Sequence, residues 1–289
     1  MSDPVIIEAA LNGATRRSRN PHVPVTPEEV AADALRCLDA GAAIVHQHDA
    51  DGGTSAARTA EQSLDTYTRI LAERPDAICY PTATFCDPMT ERWGHHRPLA
   101  EAGVLRMAYV DPGSVNLGRV GADGAHRPSP FVYVNSHDDL AHMIAGCHEL
   151  RLGPSVAVFE PGFLRAILAY EDAGTLPPGT FVKLYFGAGG PYTFGLPPTA
   201  EALDLYLSLL AGRAVPWAVA VFGDDAVGCG LAELAVARGG HLRVGLEDYG
   251  GDDTPTNAEL VTRAVAVVER SGRRPATPTE AAGLLGLPR

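Results

Sequence analysis

Gly41-Ala-Ala-Ile-Val-His-Gln-His-Asp49 reads as a buried strand that ends in two histidines. Residues 42–45 are small or β-branched and apolar, with no helical spacing among them. His46 and His48 are two apart, so on a strand they point to one side and Gln47 points to the other. Their Cβ atoms then lie roughly 7 Å apart, about twice the rise per residue. From that separation two imidazoles can both reach a metal ion at about 2.1 Å. Taken alone, His-x-His fits two readings: a metal-binding pair, or two hydrogen-bonded histidines at a strand end. A third ligand elsewhere decides between them.

The segment just before this strand is a helix with both ends marked. Thr26 is its N-cap, Pro27 takes the first helical position, and Glu28 and Glu29 put negative charge in the first turn. Glu29, three residues after Thr26, completes a capping box. The helix runs to about Asp39, and Gly41 stops it. This alternation continues along the chain. Strands are predicted at 5–11, 42–48, 77–84, 104–110, 155–159, 181–186, 217–222 and 242–246. Helices are predicted at 27–39, 59–72, part of 91–102, 137–150, 163–172, 199–210, 231–237 and 256–270. A short extra strand is expected at 131–135, and the Gly/Pro-rich stretch 118–129 is expected to be the most flexible. The strands are mostly continuous apolar runs, as parallel strands covered on both faces should be. Eight such units in 289 residues predict one α/β domain over 1–289, a (β/α)8 TIM barrel. A doubly wound sheet is the alternative, but no GxGxxG follows the first strand.

Composition narrows the partners. The chain is 46% hydrophobic with a formal net charge of -12 and no basic run, so nucleic acid and anionic membrane surfaces are poor partners. No apolar segment approaches the roughly 20 residues that span a bilayer. Met1 to Glu8 has no basic region followed by an apolar run, so no secretory leader is expected. The five cysteines are odd in number, scattered and free of CxxC, which suggests reduced thiols in a cytoplasmic protein.

A barrel carries its site at the C-terminal ends of its strands. Asn12, His46, His48, Thr82, Thr84, Ser114, Asn116, Glu160, Gly187, Asp224, Glu247 and Asp248 all fall at such ends. The sharpest segment is His241-Leu-Arg-Val-Gly-Leu-Glu-Asp248. On a strand Arg243, Gly245 and Glu247 share a face. If that face lines the barrel, Arg243 is buried and must be paired. Its fixed fork suits a carboxylate of the site or of a substrate. A structural ion pair that closes the last strand onto the first is the other reading. Glu247 supplies the oxygen ligand that His-x-His lacks: two histidines and a glutamate form an open zinc site with a position left for substrate or water. Glu160 reads either as a functional carboxylate or as a cap for the next helix. Gly187-Ala-Gly-Gly190 either lets a substrate approach the backbone or is only a turn. His95, His96, His137, His142 and His148 are expected at the surface or an interface. His241 starts its strand at the end away from the site, and Trp93 and Trp217 read as packing.

These pieces, in this order, resemble the β-keto acid cleavage enzymes, a family whose first member is 3-keto-5-aminohexanoate cleavage enzyme. The resemblance covers essentially the whole chain. It is carried by Asn12-Gly-Ala14, Pro24-Val-Thr-Pro-Glu-Glu29, His46-Gln-His48, Gly113-Ser-Val-Asn116, Phe159-Glu-Pro-Gly162, Arg243-Val-Gly-Leu-Glu-Asp248, Asn257-Ala-Glu-Leu-Val261 and Pro275-Ala-Thr-Pro-Thr-Glu-Ala281. It implies a zinc-dependent barrel, commonly a homotetramer, that exchanges a β-keto acid with acetyl-CoA to give acetoacetate and a new acyl-CoA. It also implies metal ligation by His46, His48 and Glu247, with Asp248 as general base and Arg243 as its partner. Thr82 then matches a site hydroxyl and Glu160 a further site carboxylate. Three departures stand out: Ala50 where the family has Arg, Asn12-Gly-Ala14-Thr15 where it has Thr-Gly-Ala and an acid, and Tyr249 where it has Asn. With Asp49 and Asp51 facing the pocket, these predict preference for a neutral or cationic substituent over a dicarboxylate. The alternatives are a zinc-dependent aldolase or hydrolase without CoA, and a metal-binding barrel without turnover.

Overall fold

Eight short apolar segments form one all-parallel sheet: β1 Ile7–Ala10, β2 Ile44–Gln47, β3 Ile78–Pro81, β4 Met107–Val110, β5 Gly153–Val158, β6 Phe181–Gly187, β7 Trp217–Phe222 and β8 His241–Val244. The computed structural model describes residues 3–49, 53–121, 123–127, 131–188 and 193–288. The sheet order is β3-β2-β1-β8-β7-β6-β5-β4, so the first strand pairs with the last. β3 and β4 lie side by side without a ladder, which leaves the barrel nearly closed. Every residue of β1 to β6 and of β8 is buried, because side chains facing the lumen and side chains facing the helices are both covered. The helices α1 Pro27–Ala40, α2 Ala56–Glu73, α3 His96–Glu101, α4 His137–Leu150, α5 Pro161–Asp172, α6 Ala200–Leu210, α7 Leu231–Ala237 and α8 Asn257–Arg270 follow the strands in turn. The fold is the expected (β/α)8 barrel, and a doubly wound sheet is excluded by its curvature onto itself. No helix among the described residues is long and apolar enough to cross a membrane. All five cysteines are unpaired.

Local signals read from the sequence hold at the helix ends. Thr26 and Glu29 make a reciprocal capping box, and Gly41 ends α1 in the left-handed region at φ 116°. Other expectations need correction. The predicted strand 131–135 is a single bridge between Tyr133 and Val115. Its β-branched and aromatic residues fit a strand, but only one residue pair forms, and Phe131, Val132 and Val134 stay exposed. The stretch 118–129 contains an antiparallel ribbon, Arg119–Val120 against His126–Arg127. The segment 91–102 is helical in part, as expected: Met89–Arg92 and α3 lie on either side of Gly94, whose missing Cβ avoids the Thr90 carbonyl. The turn swings His95 and His96 inward, so both are fully buried rather than at the surface. Trp93 stacks on His96 at 4.1 Å, and burial holds the His95 imidazole down at about 3, neutral at ordinary pH.

Asn257, the first residue of α8, ties the barrel seam together. It accepts from Leu246 N–H at 2.8 Å and donates to Leu11 O at 2.7 Å and to Asp33 at 2.6 Å. Asn257→Ala strands three buried groups, so urea denaturation should show a loss of about 3 kcal/mol. An unchanged midpoint would remove this seam from the account of the fold.

Candidate active site and metal centre

β2 ends in His46 and Gln47, and the strand period sends the two side chains apart as expected. Gln47 turns outward to Ser63 at 2.9 Å, under α2. The His46 ring faces the lumen. Its Nδ1 lies 3.2 Å from the Tyr80 carbonyl, which can only accept. The proton therefore sits on Nδ1, and the Nε2 lone pair points to the centre of the site. Burial pushes the His46 imidazole well below its ordinary pKa, although Glu247 pulls the other way, so the ring is neutral.

Glu247 reaches the same point from the far end of β8. The chain makes a sharp turn after Val244, where Gly245 has φ 144° and a Cβ would sit 2.0 Å from the Ala10 carbonyl oxygen. Gly13 presses on the other side, where a Cβ would lie 2.3 Å from Glu247 Cγ. The Glu247 carboxylate then lies between the two histidines, with Oε2 3.4 Å from His46 Nε2 and Oε1 3.3 Å from His48 Nε2. The three potential ligand atoms fall within 4.8 Å of one another. Buried Oε2 has no hydrogen-bond donor. Burial alone would raise the Glu247 carboxyl, but Arg243, His48 and His46 together hold it well below the usual range.

Arg243, 1% exposed, holds the rest. Its Nη1 donates to Glu8 at 2.7 Å, its Nη2 contacts Glu247 at 2.8 Å, and its Nε donates to Asp248 at 2.8 Å. Burial raises the Asp248 carboxyl to about 6 against the pull of this guanidinium. Beneath them Lys183 donates to Tyr80 Oη at 2.6 Å and to Ser155, and lies 3.7 Å from Glu8. Tyr80 Oη donates to Glu8 at 2.6 Å, and the Tyr80 ring stacks on His46 at 4.5 Å. Three carboxyl groups thus face two cationic side chains in this buried cluster. The imbalance, the orphaned Oε2 and the N,N,O donor set fit a divalent metal such as zinc.

The other predicted residues divide. Thr82 is buried just past β3, and its N–H bonds to Gln47 O, which sets it level with His48. Glu160 does not cap α5: its carboxylate accepts from Gly195 N–H at 2.9 Å. Asn12 brackets the His48 peptide, accepting from its N–H at 2.8 Å and donating to its carbonyl at 2.9 Å. Thr15 donates to Leu246 O at 2.8 Å. Asp49 is turned to the Thr59 hydroxyl of α2, not to the pocket. Ala50, Asp51, Gly189 and Gly190 lie outside the described residues. His241 accepts from Ile6 N–H at 3.0 Å, a structural contact. The sequence reading missed Glu8, Tyr80 and Lys183. Their signal was present, since a lone Glu or Lys inside an apolar strand must be paired.

Barrel and site together define a TIM-barrel enzyme whose candidate site lies at the C-terminal ends of its strands. The chain belongs to the family of beta-keto acid cleavage enzymes, whose model matches residues 4–287. It is 29% identical to the 3-keto-5-aminohexanoate cleavage enzyme of Fusobacterium nucleatum subsp. nucleatum, over 99% of each chain. It is 28% identical to the 3-oxoadipate:acetyl-CoA acetyltransferase of Cupriavidus necator, over 100% of this chain and 96% of that one. Among solved structures, apo ObcA shares the fold with a TM-score of 0.67 at 18% identity, over 92% of this chain and 66% of ObcA.

Gly13→Ala should drive Glu247 away from the histidines and weaken zinc binding at least tenfold in a calorimetric titration. Gly103, also at positive φ but with nothing near a Cβ, provides the control. Equal zinc affinity in the Gly13→Ala and Gly103→Ala proteins would show that the close approach does not place the ligand.

Proposed function

We propose that this protein exchanges the acyl group of a β-keto acid with acetyl-CoA, giving acetoacetate and a new acyl-CoA, and that it uses zinc. The observation that carries this reading is an open His46–His48–Glu247 set directly beside Asp248, which Arg243 grips through both carboxylate oxygens. The acetyl-CoA named for the Cupriavidus necator relative supports the choice of co-substrate. A zinc ion held by the three ligands supplies Lewis-acid stabilisation of charge that develops on the keto-acid oxygens.

Asp248 accepts the proton from C2 of the keto acid. C2 then bonds to the acetyl carbonyl carbon, and the CoA thiolate leaves. The thiolate adds to the original C3 carbonyl, the C2–C3 bond breaks, and C2 recovers a proton from Asp248. Arg243 keeps Asp248 at its post and carries charge that a lysine could not spread over three carboxylates. Thr82 offers its hydroxyl to the substrate beside His48. Glu160 is assigned to the rim, where it pins Gly195.

Metal-loaded protein should form acetoacetate from acetyl-CoA and a β-keto acid, followed by chromatography of both products. The His46→Ala/His48→Ala protein should lose well over nine-tenths of its zinc and this activity. Asp248→Asn should keep its zinc and lose roughly 100-fold or more in kcat. Acetoacetate formation by Asp248→Asn at the wild-type rate would exclude Asp248 as the base. Zinc binding without turnover on any β-keto acid would favour a metal-binding barrel.

A further inference from the structure

The mouth of the barrel is divided in two. One half carries His46, His48 and Thr82 of β2 and β3 and Glu8 and Arg243 of β1 and β8. The opposite half, on β5 to β7, is apolar. Ala157, Tyr185 and Ala220 form a small cluster separate from the main core, with Phe159 and Phe222 packed on it. Register explains the grouping: Tyr185 pairs with Ala220, and Ala157 pairs with Lys183, whose ammonium lies in the lumen beneath. Alternation then puts Phe159 and Phe222, each two residues further along, on the lumen side at the mouth. Phe159 meets Tyr185 at 4.7 Å and Phe194 at 5.6 Å, and Phe194 meets Phe222 at 5.8 Å. Phe159 and Phe222 are only partly buried.

This wall begins where the polar site ends. The Arg243 guanidinium lies over the Tyr185 ring, with Cζ 5.4 Å from its centroid. A substrate whose carboxylate and keto oxygens lie against the histidines and Arg243 would therefore extend its C3 substituent along Tyr185 to Phe159 and Phe222. One acid, Asp111 just past β4, is partly buried on the lumen side within reach of Lys183 and Arg243, and there it accepts from the Tyr133 hydroxyl at 2.5 Å. The other nearby acids point elsewhere. Glu160 alternates away from Phe159 and is held by Gly195 N–H, Asp49 is held by Thr59, and Asp224 accepts from Asp225 N–H at 2.7 Å.

We infer that Phe159, Tyr185, Phe194 and Phe222 form the subsite for the C3 substituent, and that the substrates are β-keto acids with an apolar, uncharged chain of several carbons. This rests on the exchange reaction proposed above and narrows the sequence-based expectation, which admitted cationic substituents. Aromatic walls gain from each methylene they cover, whereas an ammonium or second carboxylate would lose water there without a partner.

The test uses the zinc-loaded full chain with acetyl-CoA and 3-oxopentanoate, 3-oxohexanoate, 3-oxoheptanoate, 3-oxoadipate and 5-amino-3-oxohexanoate. The expected kcat/KM rises roughly fourfold per added methylene, and both charged acids fall at least tenfold below 3-oxoheptanoate. In Phe222→Ala, the ratio of 3-oxoheptanoate to 3-oxopentanoate should drop from about 16 to below about 4, with zinc content retained. Preference for either charged acid, or an unchanged ratio in Phe222→Ala and in Phe159→Ala, overturns the inference. If no keto acid turns over, the exchange reaction fails on its own, and calorimetry still decides the subsite. 3-Hydroxyheptanoate should then bind the wild type more tightly than 3-hydroxypentanoate, and Phe222→Ala should abolish the difference. Equal binding of the two acids to the wild type overturns it.

Discussion

One buried guanidinium keeps this barrel mouth together. Arg243 meets Glu8, Glu247 and Asp248 with different nitrogens. Three carboxyl groups brought this close would otherwise repel one another at low effective dielectric. A buried network of this kind is weak as a source of stability, because each charge has given up its water. Its effect is on position: each nitrogen of the fork holds a carboxylate within 2.8 Å. Lys183 repeats the pattern one layer down, where it donates to Tyr80 and lies near Glu8. Burial favours its neutral form, and Glu8 opposes this. The two layers share Tyr80, so His46 is steadied by the same phenol that organises the cations.

Barrel closure makes this possible. Arg243 and Glu8 are neighbours in register across β8 and β1, at opposite ends of the chain. Glu247 and His46 meet only because the last strand returns to the first and β2 lies next to it. The site is therefore a product of closure, and the seam residue Asn257 belongs to the same device. Its side chain fixes the Leu246 peptide immediately before the Glu247 carboxylate.

Much of the fold was legible because it rests on short-range chemistry. The capping box at Thr26 and the apolar runs of the parallel strands are local patterns, and they appear where expected. His46, His48, Glu247 and Asp248 were also visible, since each stands at or just past a strand end with a charge or ring that needs a partner, and Arg243 was visible because on a strand it shares a face with Glu247. Glu8, Tyr80 and Lys183 were passed over because they sit in mid-strand, and alternation does not say whether a face meets helices or the lumen. The same limit misplaced His95 and His96. They were expected at the surface or an interface, and the break at Gly94 put them within. The strand at 131–135 failed for a different reason: β-propensity describes a fit to a pleated surface, and only one residue pair of such a surface is present.

The departures from the family pattern can be placed on this frame. Asn12 and Thr15 bind the main chain at His48 and Leu246, and so hold the backbone on either side of the ligand set. Tyr249 turns its hydroxyl to Asp253, away from the lumen. These residues set the backbone that carries the ligands, and they do so through peptide groups, which any side chain of suitable reach can engage. The donor atoms themselves depend on Gly13 and Gly245, where no side chain fits, and on the Arg243 fork, which no other side chain reproduces. A hydrogen bond to backbone thus makes a looser demand on the side chain than shape or charge geometry does. The polar half of the mouth is fixed by that stricter requirement. The apolar half needs only rings of suitable size, so that is where a chain with this scaffold can alter what it accepts.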